Sequence, residues 1–266
     1  MIAAYTGTID YTVHGSGTTT VFMLHGAYGD GSYFANTATV LADAGYRVVV
    51  WNCPGYGMTP PAQTPSITTF SAAATSLVQS EATAVNVLLG HSMGALIAPL
   101  TANNEPLVDA VVLSGASAGF ASRTPEDQKR YLAERLEPIE NGQTVAEYVR
   151  PLLDSMMGPT ASGPLVDKVR EAILAMRTAT FADSIRAIAS YDGREALDNL
   201  AVPTLLLAGT VDTACPVAGM RAMAERIEDS EIHELEGVGH YGFAERPDEF
   251  HGHLLDFLGR RLPKEN

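Results

Sequence analysis

The sequence predicts an α/β protein in which a parallel core is interrupted by an all-helical insertion. Short continuous apolar runs alternate with helical patterns over about the first 120 residues, which is typical of strands buried on both faces of a parallel sheet. From about residue 124 to residue 191, apolar residues recur at helical spacing without a strand-like run. Strand patterns return near residue 204, so the helical stretch lies inside the α/β pattern. A chain of 266 residues fits one such domain with an insertion, or two small domains.

The first part of the chain alternates between strand and helix patterns. Residues 2–10 and 11–14 are rich in β-branched and aromatic residues and are separated by glycine-containing breaks, which predicts an antiparallel hairpin. An apolar run at 20–24 predicts a buried strand. The predicted elements that follow are a helix at 34–44, a strand at 47–51, a helix at 67–81, a strand at 84–89, a helix at 95–102 and a strand at 108–113.

The second part begins with the helical insertion. Thr124 suits a helix N-cap, Pro125 suits the first helical position, and acidic residues follow in the first turn. The remaining predicted elements are helices at 165–176 and 181–189, strands at 204–208 and 231–235, and a closing helix at 250–258. We therefore expect a core formed by residues 1–119 and 196–266, with a helical cap, or lid, formed by residues 120–195.

Composition excludes several classes of partner. The net charge of −14 and a pI near 4.8 disfavour binding to nucleic acid or to an anionic membrane. We expect no secretory signal, because the N-terminus has no charged region followed by a long apolar segment. We expect no membrane helix, because no apolar stretch approaches the ~18 residues that a span requires. The two cysteines, Cys53 and Cys215, lack metal-ligand spacing, which indicates a reduced, cytoplasmic setting without a structural metal.

The segment Gly90-His-Ser-Met-Gly94 matches the pattern G-x-S-x-G. The pattern is informative only on a turn from a strand to a helix, and here it lies between the predicted strand at 84–89 and the predicted helix at 95–102. A residue on so sharp a turn needs small neighbours on both sides. We therefore predict that Ser92 is a nucleophile held at the carboxyl edge of the sheet, with the alternative of an inert turn.

A serine nucleophile needs a base and a group that orients the base. Of seven histidines, His240 lies in a glycine-rich loop directly after the last predicted strand, at the sheet edge where Ser92 is expected. Asp212 follows the strand at 204–208, whereas Asp198 precedes that strand and lies at the wrong edge. The predicted order Ser92, Asp212, His240 is the order of a hydrolase triad on an α/β sheet.

Acyl transfer also needs backbone donors for the developing oxyanion. The amide of Met93, directly after the nucleophile, is one predicted donor, and the dipole of the following helix favours it. The amide of Ala27, in the loop after the strand at 20–24, is the other. Tyr28 is next to this loop, and lining the pocket and plain packing are equally compatible with its position.

Five segments together resemble the α/β-hydrolase superfamily: HGAYGD, NCPGYGMTP, GHSMG, LLLAGTVDTACP and GVGHYGFAERPDEF. Within it, the chain is similar to a lid-bearing group of enol-lactonases, small carboxylesterases and meta-cleavage-product hydrolases. The resemblance implies an eight-stranded, mostly parallel sheet with helices on both faces and a cap between core strands six and seven. It also implies the triad and oxyanion roles assigned above.

Two departures from the family pattern bear on different properties, the first on fold stability and the second on the type of bond that is cleaved. Asn52 and Thr59 replace the outer residues of a structural turn that commonly reads D-x-x-G-x-G-x-S. Tyr241 follows the candidate catalytic histidine, where carbon–carbon hydrolases commonly have Trp. We therefore expect a serine hydrolase that cleaves a carboxylic ester or lactone through an acyl-enzyme, without cofactor or metal. The alternatives are a carbon–carbon hydrolase of a diketone-type product and, in another class, a non-catalytic small-molecule receptor.

The substrate pocket is expected between core and cap. Candidate lining residues, for which packing of the cap on the core is the alternative, are Tyr28, Met156, Met157, Leu165, Ile173, Met176, Phe181 and Tyr241. Four arginines are candidates for binding a substrate carboxylate, with a solvated role as the alternative: Arg123, Arg150, Arg177 and Arg186. The expected partner is a small-molecule ester or lactone, and the expected state is a monomer or homodimer.

Overall fold

A computed structural model describes residues 5–262 of the chain. This part of the chain forms one seven-stranded sheet in the order β1-β3-β2-β4-β5-β6-β7. β1 pairs antiparallel with β3, and all other neighbouring strands are parallel. The strands are β1 (Tyr11–His14), β2 (Thr19–Leu24), β3 (Arg47–Trp51), β4 (Val85–His91), β5 (Ala110–Ser114), β6 (Thr204–Gly209) and β7 (Ser230–Leu235).

Helices connect these strands and fill the segment between β5 and β6. They are α1 (Ala35–Asp43), α2 (Ile67–Glu81), α3 (Met93–Asn104), α4 (Pro125–Glu140), α5 (Val145–Met156), α6 (Pro164–Leu174), α7 (Thr178–Ala189), α8 (Arg194–Asp198), α9 (Val217–Ala224), α10 (Gly242–Glu245) and α11 (Pro247–Arg261). A 3₁₀ turn, Gly31–Phe34, precedes α1. Within residues 5–262, no helix combines the length and apolar character needed to cross a membrane.

The prediction of eight strands is wrong, because the described chain has seven. Residues 5–10 do not pair with β1 as a hairpin, and residues 2–4 of that predicted strand lie outside the described residues. Asp10 is instead bound to the turn after β3: its carboxylate accepts hydrogen bonds from the Asn52 side chain at 2.8 Å and the Met58 amide at 2.9 Å. These long-range contacts hold the segment away from strand geometry.

Asn52 and Thr59, the two departures from the family turn, are part of the same network. The Thr59 hydroxyl donates to the Asn52 carbonyl at 2.7 Å and accepts the Asp10 amide at 2.8 Å. The Asn52 side chain also accepts the Gly31 amide at 3.1 Å. The turn therefore keeps its polar groups satisfied with the residues that this chain has.

The helical segment, residues 120–195, departs from the sheet after β5 rather than after a sixth strand, since only five strands precede it from residue 5 onward. Its first helix begins as predicted: the Thr124 side chain accepts the Asp127 amide at 3.1 Å, and Pro125 takes the first position. The predicted boundary at 195/196 falls inside α8. In α7, Phe181, Ile185 and Ile188 recur at helical spacing and are buried, so packing of apolar faces holds this segment on the core.

Candidate active site

Ser92 lies alone on the turn between β4 and α3. Its backbone angles are φ 54° and ψ −112°, and it is the one non-glycine residue with a positive φ in the described chain. Such a conformation costs about 1–3 kcal/mol and persists only where its surroundings impose it. Here the Ser92 amide donates to the Ser114 carbonyl of β5 at 3.0 Å, and its carbonyl accepts the Ala95 amide at 3.0 Å. The turn is thus fixed by the neighbouring strand and by its own helix.

The two glycines that flank this turn allow its close backbone approach. A β-carbon on Gly90 would overlap the Gly94 carbonyl, and one on Gly94 would overlap the Leu24 carbonyl at the end of β2. Neither obstacle is a flexible side chain that can move aside. The pattern of glycines therefore follows from the passage of α3 across the ends of β2 and β4.

Asp212 and His240 meet where β6 and β7 end. His240 Nδ1 and Asp212 Oδ2 are 2.7 Å apart, and both side chains are almost completely buried. Burial raises the pKa of Asp212, but the His240 ring and the amides of Cys215 and Ala214, which donate to its other oxygen, outweigh burial and lower the pKa. Because the carboxylate is ionised, Nδ1 is the donor in this pair, and Nε2 is then the acceptor of the neutral ring.

One cavity brings these groups together. Ser92 and His240 both line it, with Ala27 and Met93 also on its wall, and its volume is about 40 Å³. That volume holds only a few water molecules. All five residues nominated for the triad and the oxyanion donors therefore lie at this cavity or, for Asp212, directly behind it.

The loop with Ala27 is fixed by a buried histidine. His25 Nδ1 lies 2.8 Å from the Gly26 carbonyl, and Nε2 accepts the Cys53 amide at 3.0 Å. Burial lowers the pKa of His25 to about 4, so the ring is neutral and Nδ1 is its donor. The peptide after Gly26 is trans, so the Ala27 N–H points away from the carbonyl that His25 holds. The Met93 N–H opens α3 and has no carbonyl one turn earlier to bind.

The loop that carries His240 is bound by a single carboxylate. Glu245 Oε2 accepts the amides of Gly158 at 2.7 Å and Gly239 at 2.9 Å, and Oε1 accepts the amide of Tyr241 at 3.0 Å. Gly239 and Tyr241 flank His240, whereas Gly158 belongs to the helical segment. Glu245 therefore joins the histidine loop to the segment that covers it.

Sequence reasoning identified the cavity wall only in part. Tyr28 and Met156 line it, as predicted. Phe181 instead packs edge-on against Tyr28, with ring centroids 5.1 Å apart, and the Met176 sulfur accepts the Gly29 amide at 2.8 Å. The six other nominated residues are buried or half-buried in packing rather than on this wall: Met157, Leu165, Ile173, Met176, Phe181 and Tyr241.

The arginine on the cavity wall is one that the sequence did not single out. Arg135, on α4, lines the cavity with Ser92. The four nominated arginines are not on its wall within the described residues: Arg123, Arg150, Arg177 and Arg186. Arg177 binds the Gly55 carbonyl, for example. A signal for Arg135 existed in its spacing from Tyr131, because residues four apart on a helix are neighbours.

Asp212, Cys215 and His240 are also the one group among the described residues whose potential metal-ligand atoms all lie within 4.8 Å of one another. Burial raises the pKa of the Cys215 thiol well above its usual value, so the sulfur is protonated and a poor ligand. Both Asp212 oxygens already accept hydrogen bonds. A protonated thiol and an already hydrogen-bonded carboxylate do not suit a metal centre.

Comparison with known proteins defines the class. A model of the alpha/beta hydrolase family matches residues 21–252, and the chain therefore belongs to this family. Membership assigns it to hydrolases rather than to non-catalytic receptors, in agreement with the resemblance seen in the sequence.

Individual relatives indicate the breadth of chemistry around this chain. A pimeloyl-acyl-carrier-protein methyl ester esterase of Xanthomonas campestris pv. campestris is 29% identical over 251 residues, covering 91% of this chain and 94% of the relative. A 2-hydroxy-6-oxononadienedioate/2-hydroxy-6-oxononatrienedioate hydrolase of Pseudomonas sp. is 26% identical over 271 residues, covering 96% and 94%. The enol-lactonase of Burkholderia xenovorans LB400 has the same fold, with a TM-score of 0.82 at 20% identity over 96% of this chain and 97% of that one.

Proposed function

We propose that the protein hydrolyses a carboxylic ester or lactone of a small molecule through an acyl-enzyme on Ser92. The observation that carries the proposal is the buried 2.7 Å contact between His240 and Asp212 at the cavity onto which Ser92 opens. Similarity to the methyl ester esterase supports ester chemistry. Cytoplasmic location and a monomeric or homodimeric state stay predictions from the sequence.

In the first step, Ser92 Oγ attacks the ester carbonyl while His240 Nε2 takes its proton. The Asp212 carboxylate keeps the proton on Nδ1 and stabilises the imidazolium that forms. The tetrahedral intermediate collapses with cleavage of the bond to the leaving oxygen, which takes the proton from His240. An alcohol leaves, or remains attached in the case of a lactone, and the acyl group stays on Ser92.

In the second step, water attacks the acyl-enzyme. His240 takes a proton from the water and returns it to Ser92 Oγ as the acid is released. In both steps the negative oxygen lies between the N–H groups of Ala27 and Met93. Removal of one such donor typically costs about 10²–10³ in kcat.

The helical segment is proposed to act as a cap. A cavity of about 40 Å³ is far below the ~300 Å³ and more that small-molecule pockets offer. Substrate entry therefore requires that side chains or helices of residues 120–195 move. Closure over the acyl-enzyme then limits access of bulk water.

A second candidate is hydrolysis of a carbon–carbon bond, since a relative of 26% identity is named for a dienedioate or trienedioate substrate. The same serine and histidine serve either reaction. Product analysis separates the two: an acid and an alcohol from an ester, against two carbon fragments from a diketone-type substrate.

The decisive experiment compares Ser92→Ala with wild type on aryl esters of graded acyl length and on a lactone panel. We expect a loss of kcat of at least about 10³-fold in the variant, together with loss of labelling by a fluorophosphonate. Ser80→Ala, at an exposed position of α2, is the matched control and should label like wild type. Unchanged turnover in Ser92→Ala would rule out the assigned nucleophile.

A further inference from the structure

Arg135 places a cation in the cavity that contains Ser92 and His240. Its guanidinium stacks over the ring of Tyr131, one helical turn earlier, with 3.9 Å from the guanidinium carbon to the ring centroid. The Arg135 side chain is 17% exposed. The charge is therefore largely withdrawn from bulk water and lies at the wall of the proposed reaction site.

Only some of the hydrogen-bond donors of the Arg135 guanidinium have an acceptor in the protein. Nη1 donates to the Tyr131 carbonyl at 3.2 Å and, at 3.4 Å, to the carboxylate of Glu134, which is 59% exposed. Glu134 is the only acidic side chain that pairs with Arg135 among residues 5–262. Nε is buried and has no hydrogen-bond partner in that part of the chain. A buried donor without an acceptor is costly. The Tyr28 hydroxyl oxygen lies close to the guanidinium, and an acceptor from outside the chain would satisfy the Nε–H that is left without a partner.

The free edge has the geometry of a carboxylate site. Nε–H and one N–H of Nη2 point in parallel and match the two oxygens of a carboxylate. Stacking on Tyr131 uses the face of the guanidinium and leaves this edge available. Tyr28 brings a second donor: its hydroxyl is buried in the same cavity wall and lies close to Arg135, and its own proton has no acceptor among the described residues. The Arg135 charge partly opposes the rise that burial causes in the pKa of Tyr28, which is evidence that the two groups are close.

Long-range electrostatics do not attract an anion to this chain, because its net charge is −14. An anionic substrate therefore needs a local cation beside the reaction site. Among the described residues, Arg135 is the one arginine or lysine on the wall of the cavity that contains Ser92. A substrate carboxylate would complete its hydrogen bonds and neutralise its charge at the same time.

We propose that Arg135, assisted by Tyr28, binds a free carboxylate that the substrate carries in addition to its reacting ester or lactone. The substrate class is then a half ester of a dicarboxylic acid or a carboxylated lactone. This inference rests on the proposed hydrolase function and narrows it. Hydrolysis of a half ester yields an alcohol and a dicarboxylate whose second carboxylate still binds Arg135.

The test pairs each monoethyl ester of a linear dicarboxylic acid with the ethyl ester of the monocarboxylic acid of equal length, over a series of lengths. At the length that spans Ser92 and Arg135, wild type should prefer the half ester in kcat/KM by about 10- to 100-fold, the range for a charge-assisted pair. In Arg135→Gln this ratio should fall to about one or below. Arg130→Gln, on the same helix but 64% exposed, is the matched control and should keep the wild-type ratio.

Equal or greater preference for the neutral ester at every length would overturn the proposal, as would a wild-type ratio retained in folded Arg135→Gln. If that variant does not fold, the wild-type ester series alone tests the proposal. Arg135→Lys should then give an intermediate ratio, because lysine keeps the charge but lacks the two parallel N–H groups of the guanidinium. Binding gives an independent readout: free glutarate or a longer dicarboxylate should raise the Tm of wild type more than the monocarboxylate does. Absence of turnover on all esters would instead refute the hydrolase proposal, and dicarboxylate binding would still test Arg135.

Discussion

Glu245→Gln tests whether the loop that carries His240 is held in place by one carboxylate. Glu245 accepts three amide hydrogen bonds, from Gly158, Gly239 and Tyr241, at 2.7–3.0 Å. A glutamine has a single oxygen. If that oxygen keeps the two bonds of Oε2, the amide NH₂ faces the Tyr241 N–H at 3.0 Å, donor against donor.

The size of the effect follows from these contacts. A hydrogen bond to a charged group contributes about 1.5–3 kcal/mol. In Glu245→Gln the hydrogen bond from the Tyr241 amide is lost, and the hydrogen bonds from Gly158 and Gly239 are made to a neutral oxygen instead of a charged one. Because Glu245 is only partly buried, water recovers some of this, and we expect a loss of about 1.5–3 kcal/mol in unfolding free energy. Tyr241 is adjacent to His240, so relaxation of the loop moves the imidazole. A misplacement near 1 Å costs up to about 10²-fold in rate.

Steady-state kinetics and urea denaturation measure the two effects together. We expect kcat to fall by about 10- to 100-fold while KM changes little, because His240 acts in the chemical step rather than in substrate binding. Glu249→Gln, on α11 and 37% exposed, is the matched control and should change neither quantity appreciably. A stable Glu245→Gln variant with wild-type kcat would refute the argument that this carboxylate positions His240.

Three further outcomes are expected. Gly94→Ala should abolish activity and destabilise the fold, because the new β-carbon overlaps a backbone carbonyl of β2. Gly259→Ala, in open space on α11, should instead stabilise the protein by up to about 1 kcal/mol. Urea denaturation of both variants measures these changes. His25 has a folded pKa of about 4 against 6.5 unfolded, so the unfolded chain binds more protons between these two pH values. The unfolding free energy should therefore fall by about 3 kcal/mol as the pH falls from 6.5 to 4. A stability that stays flat over that range in urea titrations would contradict this. Tyr56→Phe removes the hydroxyl 2.9 Å from the Ala27 carbonyl and should cost about 1 kcal/mol and a few-fold in kcat.

The turn between β4 and α3 could be predicted because the features that form it lie close together in the sequence. The glycines around Ser92, the apolar strand before it and the helix after it are all contained in about 20 consecutive residues. Asp212 and His240 were found because parallel strands end at one edge of a sheet. The end of this strand was predicted too early: β4 continues through Gly90 to His91, although a glycine after an apolar run usually indicates the end of a strand.

Sequence reasoning failed where long-range contacts decide the structure. The strand expected at 2–10 is not formed by residues 5–10, because Asp10 binds the turn after β3. Arg135 belongs to a helix with many charged residues and reads as solvent-facing. Its burial follows from stacking on Tyr131. The spacing of four residues from Tyr131 is the one signal in the sequence that separates Arg135 from Arg130, which is exposed.

The contacts between core and helical segment also bear on how the cavity opens. The end of α5 is tied to the histidine loop, since the His240 amide donates to the Met156 carbonyl at 2.7 Å. α7 is tied to the turn after β3, where Tyr56 and Ser184 are hydrogen-bonded at 2.8 Å. Among the described residues, α4 makes its side-chain hydrogen bonds and ion pairs within residues 120–195, apart from the interaction of Arg135 with Tyr28 of the core. If the proposed cap opens at α4, the polar contact between Arg135 and Tyr28 of the core is the one it would separate, while the ties of α5 and α7 to the core stay in place.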